Sequence, residues 1–228
     1  MMVDAVAAMD GLGLTRAERT PPFAPEVQFL QSRSRQERER TFWNRLYAGT
    51  SAPTRPNRFL SEVASLTPPG RLLDLGAGNG RNALPLAEAG WQVTGLDISD
   101  TGLLQAALAA SRRQLPVDTR LCATEQFDAG RSQWDLICEC YGHRLLPEEV
   151  ARLTAALVPG GLLVVEGVRD EVSLETPFGR RPGYRGQSLL ETVEPLLRVL
   201  HYEQVLDVPD WGGRSSRAPL VRLVAARR

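Results

Sequence analysis

Lysine is missing from this 228-residue chain; all 27 basic residues are arginine. That absence excludes a phosphate-loop lysine, a pyridoxal Schiff base and a Tyr-x-x-x-Lys dehydrogenase pair. Cysteine is nearly as scarce: Cys122, Cys138 and Cys140 are an odd number lying in or near apolar runs. They suit a reducing, cytoplasmic setting better than a disulfide framework. With three cysteines and only two histidines, a dedicated zinc cage is not expected. No apolar run approaches the ~20 residues of a membrane span. Met1–Leu14 lacks the basic start and apolar centre of a secretion signal. Acidic residues also number 27, so no bulk field draws nucleic acid or an anionic membrane. What is left is a chain long enough for one full core, with an N-terminal extension.

The informative stretch runs from Leu72 to Asp97. Leu72, Leu73 and Leu75 around Asp74 read as a buried parallel strand, followed at once by Gly76, Gly78 and Gly80. Glycine suits a strand-to-helix turn that needs positive φ or close ligand approach. Residues 81–89 then read as a helix whose free amides and positive dipole end face the turn. Pro85 inside it predicts a local kink. A second apolar run, Trp91 to Leu96, ends in Asp97, 21 residues after Gly76. An acid at the tip of the second strand is where a doubly wound sheet holds ribose hydroxyls. A nicotinamide turn calls for G-x-G-x-x-G, whereas the glycines here fall as G-x-G-x-G and Arg81 takes the third position.

On either side the chain alternates between helical and strand periodicity. Val27 to Tyr47 is helical, with RSRQERER at Arg33–Arg40 as a mixed-charge, solvated face. Phe42, Trp43, Leu46 and Tyr47 then recur at helical spacing, either to dock this helix on the core or to fold it over a ligand. Phe59–Leu66 is a short amphipathic helix stopped by Pro68-Pro69-Gly70. Ser99 is the expected N-cap of a helix over Gly102–Arg112, with Leu103, Leu104, Ala107 and Leu108 as its core stripe. Val117–Cys122 and Trp134–Glu139 are strands, and Pro147–Leu157 is a helix with Glu148 and Glu149 in its first turn. Pro159-Gly160-Gly161 turns into a strand over Leu162–Gly167. Gln187–Leu196 is helical, and Arg198–Val205 and Pro219–Ala226 are late strands. The pattern predicts an α/β, doubly wound sheet, with residues 1–58 as an N-terminal extension and helical lid and 59–228 as the main domain.

DLGAGNGRN at Asp74–Asn82 resembles the first motif of the class I S-adenosylmethionine-dependent methyltransferases. The wording is most similar to small-molecule members of the tellurite-resistance type. Trp134-Asp135-Leu136-Ile137 and LVPGGLLVVEG at Leu157–Gly167 match further elements, and the resemblance covers about residues 40–228. It implies a mostly parallel seven-stranded sheet whose last strand inserts antiparallel between the fifth and sixth. It also implies S-adenosylmethionine as cofactor, S-adenosylhomocysteine as product and a small-molecule acceptor, with no nucleic-acid or membrane partner. Carried over, Asp74, Gly76, Ala77 and Gly78 line the methionine portion, Asp97 holds both ribose hydroxyls and Ile98 covers adenine. The family's usual adenine-binding Asp is replaced by Cys122-Ala123-Thr124-Glu125, so that contact is absent or moved to Thr124 or Glu125. Glu139 joins the cofactor set, and Arg45 or Tyr47 would reach the cofactor carboxylate if the N-terminal helix folds over it.

Acceptor chemistry is expected in ECYGHR at Glu139–Arg144, at the carboxyl edge of the sheet. His143 and Tyr141 are the catalytic candidates; the plainer alternative is a packed loop. Two loops stand where lids form, Arg169–Gly186 and Pro209–Gly213 around Trp211. Arg180, Arg181, Tyr184 and Arg185 either receive an anionic or aromatic substrate or are ordinary loop residues. The expected reaction is in-line methyl transfer to a small molecule. The alternative is a non-catalytic S-adenosylmethionine-binding module that regulates a partner.

Overall fold

The computed structural model describes residues 24–49, 52–169, 174–176, 179–181, 183–211 and 217–228. Arg40–Arg228 is one compact unit; the residues before it form another, described over 24–39 as helix. The first half of the chain runs α1 (Ala24–Ala48), α2 (Arg58–Ser65), β1 (Arg71–Leu75), α3 (Ala83–Glu88), β2 (Gln92–Asp97), α4 (Asp100–Arg113) and β3 (Val117–Leu121). The second runs β4 (Trp134–Cys140), α5 (Pro147–Ala156), β5 (Leu157–Val168), β6 (Leu174–Thr176), β7 (Gly179–Arg181), α6 (Ser188–Val193), β8 (Arg198–Asp207) and β9 (Ala218–Ala226). Seven strands form one sheet in the order β3-β2-β1-β4-β5-β9-β8. All are parallel except β9, which pairs antiparallel with both β5 and β8. This is the doubly wound, mostly parallel seven-stranded sheet that the sequence predicts. No described helix is long and apolar enough to cross a membrane.

Side chains alternate across a strand, and β1 and β4 sort their residues accordingly. Leu73, Leu75 and Ile137 join one core with Val150 and Leu153 of α5 and Leu189 and Val193 of α6. Leu72, Leu136, Cys138 and Cys140 join the other with Phe59 and Leu60 of α2 and Leu86 of α3. The three cysteines are free thiols.

Four local expectations need correction. Leu104 and Leu108 are 60% and 48% exposed; α4 instead buries Gly102, Leu103, Ala106 and Ala110. The small residues turn inward because α4 packs tightly: a Cβ on Gly80 would lie 3.0 Å from that of Ala106. Pro85 falls in the first turn of α3, where its N–H would have no intrahelical acceptor, so no kink is required. The Pro159-Gly160-Gly161 segment lies inside β5, where the register with β4 slips between Trp134↔Leu157 and Leu136↔Leu162. The loop after β5 contains the antiparallel hairpin β6–β7.

Ser99 caps α4 as expected, and its hydroxyl is fully buried. Oγ accepts from Gly102 N at 3.0 Å and donates to Asn44 Oδ1 at 2.7 Å. Ser99→Ala should therefore lose about 1–2 kcal/mol in urea unfolding. An unchanged midpoint would show that the helix does not need this cap.

Candidate active site

The three motif glycines have φ of +78°, +53° and +80° at Gly76, Gly78 and Gly80, a conformation costly for other residues. Their turn is tied to the end of β2. Gly76 N and Ala77 N both donate to Leu96 O, at 2.9 and 2.8 Å. Gly78 N donates to Asp97 Oδ2 at 2.9 Å, and Ser99 N to Asp97 Oδ1 at 2.7 Å. The acid predicted for the ribose is thus held rigidly against the turn and remains only partly buried, with Ile98 half-buried beside it.

The end of α1 packs on the same place. Tyr47 is buried, with its hydroxyl so close to Gly78 that a Cβ there would stand 2.0 Å away; a Cβ on Gly102 would meet the ring at 2.8 Å. Asn44 bridges to Ser99 and Asp100, Arg40 reaches Asp100 at 3.0 Å, and Gln105 Nε2 donates to Tyr47 O at 2.6 Å. Trp43 stacks on Tyr47 at 6.3 Å and meets Trp211 edge-on at 5.9 Å. Tyr47 is brought to the glycine turn, whereas the Arg45 side chain is exposed. Asn44, which holds the helix there, escapes sequence reading because a lone Asn on a helix face carries no pattern.

Two buried polar atoms lack hydrogen-bond partners beside the turn. Asp74 is 1% exposed; Oδ1 takes a weak bond from Cys138 Sγ at 3.4 Å, and Oδ2 has no partner among the described residues. Burial raises its pKa to about 6 and nearby Asp97 adds to the rise, against the bond from Cys138 and the charge of Arg81. Arg81 is also buried. Its Nη1 donates to Arg55 O and Asp210 O, both at 3.2 Å, its guanidinium lies 5.9 Å from the Tyr141 ring centre, and Nη2 has no partner among the described residues. Arg81 was legible only as the residue that breaks a nicotinamide spacing.

The acceptor-side candidates separate. Tyr141 has φ +64°, rare for a non-glycine residue. Its phenol donates to buried Glu166 at 2.6 Å, and burial and that carboxylate push its pKa far up. Glu166 also accepts from Asn57 Nδ2 and Arg222 Nε, each at 2.5 Å, and Arg222 continues to Glu203 at 3.1 Å and Asp207 at 2.8 Å. Tyr141 is therefore built into a buried network. His143 remains partly open, its side chain 35% exposed, with Nε2 2.8 Å from Glu149 Oε1. Burial alone would lower its pKa; the hydrogen bond to Glu149 and the charges of Glu139, Glu149 and Glu125 raise it overall. Glu139 is buried at the end of β4 and accepts from Gly142 N.

At the adenine end, Ala123 is buried and Thr124 half-buried at the start of a short 3-10 turn, Thr124–Gln126. Arg152 of α5 clamps this turn by donating to Thr124 O at 2.9 Å and Glu125 O at 2.7 Å. Among the expected lid residues, Tyr184 belongs to the core and its hydroxyl accepts from Leu145 N at 3.1 Å; it does not face an acceptor. Arg185 is exposed. The side chains of Arg180 and Arg181, and Gly212 and Gly213, lie outside the described residues.

Residues 72–161 match the sequence family described as methyltransferase domain. A ubiquinone biosynthesis O-methyltransferase of Paramagnetospirillum magneticum is 36% identical over 96 residues, 41% of this chain and 38% of that protein. The chain thus matches well under half the length of such curated relatives. Among solved structures, TehB from Haemophilus influenzae superimposes with a TM-score of 0.63 at 18% identity, over 83% of this chain and 67% of that one. The Burkholderia thailandensis 1,6-didemethyltoxoflavin-N1-methyltransferase, solved with S-adenosylhomocysteine, gives 0.58 at 21% identity over 75% and 77%. At such identities the superpositions show the fold; the matched segment contains the glycine turn, Asp97 and Glu139. Over residues 72–161 the chain is thus similar to methyltransferase domains, and its fold is that of the solved methyltransferase structures.

Proposed function

We propose that this protein transfers a methyl group from S-adenosylmethionine to a small-molecule acceptor. The glycine turn locked onto Asp97 by the Gly78 and Ser99 amides carries this reading, since it presents a fixed acid beside a backbone cradle. The unpaired Asp74 Oδ2 and Arg81 Nη2 fit the same cofactor: a buried carboxylate suits an ammonium and a buried guanidinium suits a carboxylate, the two ends of a methionine moiety. When bound, the cofactor supplies a methyl group on a sulfonium. The chain's part is to bind, orient and exclude water.

In this reading Gly76, Ala77 and Gly78 line the methionine portion, Asp97 accepts from the ribose and Ile98 covers adenine. Thr124 stands at the adenine end, on the turn held by Arg152. Glu139 supports the loop of His143, and Tyr47 closes the site as a lid residue at the end of α1. Arg45 serves the cofactor carboxylate only if its exposed side chain turns inward, and Tyr141 acts through the Glu166 network. The three free cysteines support a reducing, cytoplasmic setting. The relatives named above are called O- and N1-methyltransferases, so oxygen and nitrogen acceptors both occur among them.

Calorimetry with S-adenosylhomocysteine tests the assignment. Asp97→Ala should weaken binding by about 2–3 kcal/mol, roughly 30- to 150-fold, with Asp97→Asn intermediate. Unchanged affinity in Asp97→Ala would remove the acid from the site. Tight binding without S-adenosylhomocysteine formation from any acceptor would favour the non-catalytic module.

A further inference from the structure

We propose that His143 and Glu149 form an acid–base dyad that removes the proton of a neutral hydroxyl acceptor, an inference that rests on the methyl-transfer reading above. Glu149 is 6% exposed and both its oxygens are committed: Oε1 lies 2.8 Å from His143 Nε2, and Oε2 accepts from Leu146 N at 3.0 Å. The second bond is an ordinary helix-start contact. The first is not required for capping, and it ties an imidazole to a carboxylate fixed at the head of α5.

The other ring nitrogen, Nδ1, has no partner among the described residues, while the ring keeps a third of its surface open. Its place is beside the turn proposed to hold the methyl donor. His143 follows Gly142, whose Cα would lie 3.9 Å from a Cβ built on Gly76. An oriented ring with one nitrogen anchored and the other free is the arrangement a general base needs.

The surrounding charge selects the acceptor. Glu149 from α5, Glu139 from the end of β4 and Glu125 from the turn after β3 all act on His143. Three acidic groups favour the imidazolium formed when the ring takes a proton, and they disfavour an acceptor that arrives as an anion. A neutral amine attacks with its own lone pair before losing a proton, so it gains little from the base. A hydroxyl or phenol needs the proton removed as it attacks. In that step the acceptor O–H proton passes to Nδ1 and the oxygen bonds to the methyl carbon. The carbon–sulfur bond breaks with its electron pair left on sulfur, giving the neutral thioether, and the imidazolium later returns its proton to solvent. Glu149, whose two oxygens hold His143 and the Leu146 amide and reach no reacting atom, is the positioning residue.

Two arms test this on the full chain. In the first, NMR of 15N-histidine-labelled protein follows the two imidazoles, assigned with His143→Gln. His143 should titrate above the free-histidine value of about 6.5, and Glu149→Gln, which keeps an oxygen for Leu146 N, should bring it down. Identical titrations would overturn the dyad without reference to turnover. The second arm measures single-turnover methyl transfer to catechol, neutral at neutral pH, and to thiophenol, largely ionised there. Glu149→Gln and His143→Gln should slow the catechol reaction about 100-fold or more and the thiophenol reaction less than about threefold, with S-adenosylhomocysteine affinity unchanged. Equal losses, or failure of the wild type to methylate catechol while it binds S-adenosylhomocysteine, would overturn the hydroxyl assignment. Failure to bind S-adenosylhomocysteine at all would instead overturn the methyltransferase reading, and the NMR arm would still decide the dyad.

Discussion

Glu166→Ala should destabilise the free protein by about 3–5 kcal/mol, the range for removing one partner from a buried ionic group. Glu166 is fully buried and collects Arg222 Nε, the Tyr141 phenol and Asn57 Nδ2 on two oxygens. Truncation leaves the phenol without its acceptor and Arg222 held only by Glu203 and Asp207. Asn57 keeps a long contact to Asp210 at 3.4 Å. The loss also spreads, because Asn57 caps α2 through Leu60 N at 2.8 Å and its own amide donates to Asn82 Oδ1 at 2.8 Å. Urea unfolding should show a lower midpoint at unchanged slope, with Glu166→Gln losing less because it keeps an oxygen for two of the donors. A loss under about 1 kcal/mol would mean that water replaces the carboxylate, and the network would then not be what holds Tyr141 at positive φ.

Asp74 should make stability depend on pH in the direction opposite to most carboxylates. Its pKa is raised from 3.8 to about 6, chiefly by burial. Between those values the folded protein holds a proton that the unfolded chain has released. Stability from this group is therefore complete below pH 3.8 and is lost as pH rises through about 6, an effect of about 3 kcal/mol. Subtracting the unfolding free energies of Asp74→Asn from those of the wild type removes the contribution of other titrating groups. The difference should slope across that window and flatten above it; parallel curves would show that Asp74 is hydrated or paired. Saturating S-adenosylhomocysteine should flatten the slope if its ammonium meets Oδ2, since a cation there favours the carboxylate. The cofactor would then regain what the free protein gives up by burying an acid with one oxygen unpaired.

The residues legible in advance share one property: their role is set by local backbone chemistry. Gly76, Gly78 and Gly80 adopt the positive φ that makes glycine necessary, Ser99 caps α4, and Asp97 stands at the tip of β2. Strand and helix order follows from apolar periodicity, and the sheet follows from alternation of the two. Where the reading missed, a long-range contact outweighed the local pattern. Leu104 and Leu108 match a helical stripe as well as Ala106 and Ala110 do. The close approach of α4 to Gly78, Gly80 and Tyr47 admits only small side chains, so the leucines face outward.

The site divides along the same line. From sequence alone came the glycine turn, its acid and the loop Glu139–Arg144 at the carboxyl edge, because each is fixed within a few residues of a strand end. Only the tertiary structure separated Tyr141 from His143, which differ by two positions in one loop. Glu166, 25 residues further on, takes the phenol into a buried network, whereas Glu149, at the head of the next helix, takes the imidazole and leaves about a third of it open. Arg81 and Asp74 likewise lie seven residues apart in one motif, yet the atoms they leave unpaired among the described residues are defined only when β4, the loop before α2 and Asp210 pack against them. Sequence determines which groups the backbone offers at each strand end. The charge, burial and partner that decide what each group does come from segments far away in the chain, and they exist only once the sheet has brought those segments together.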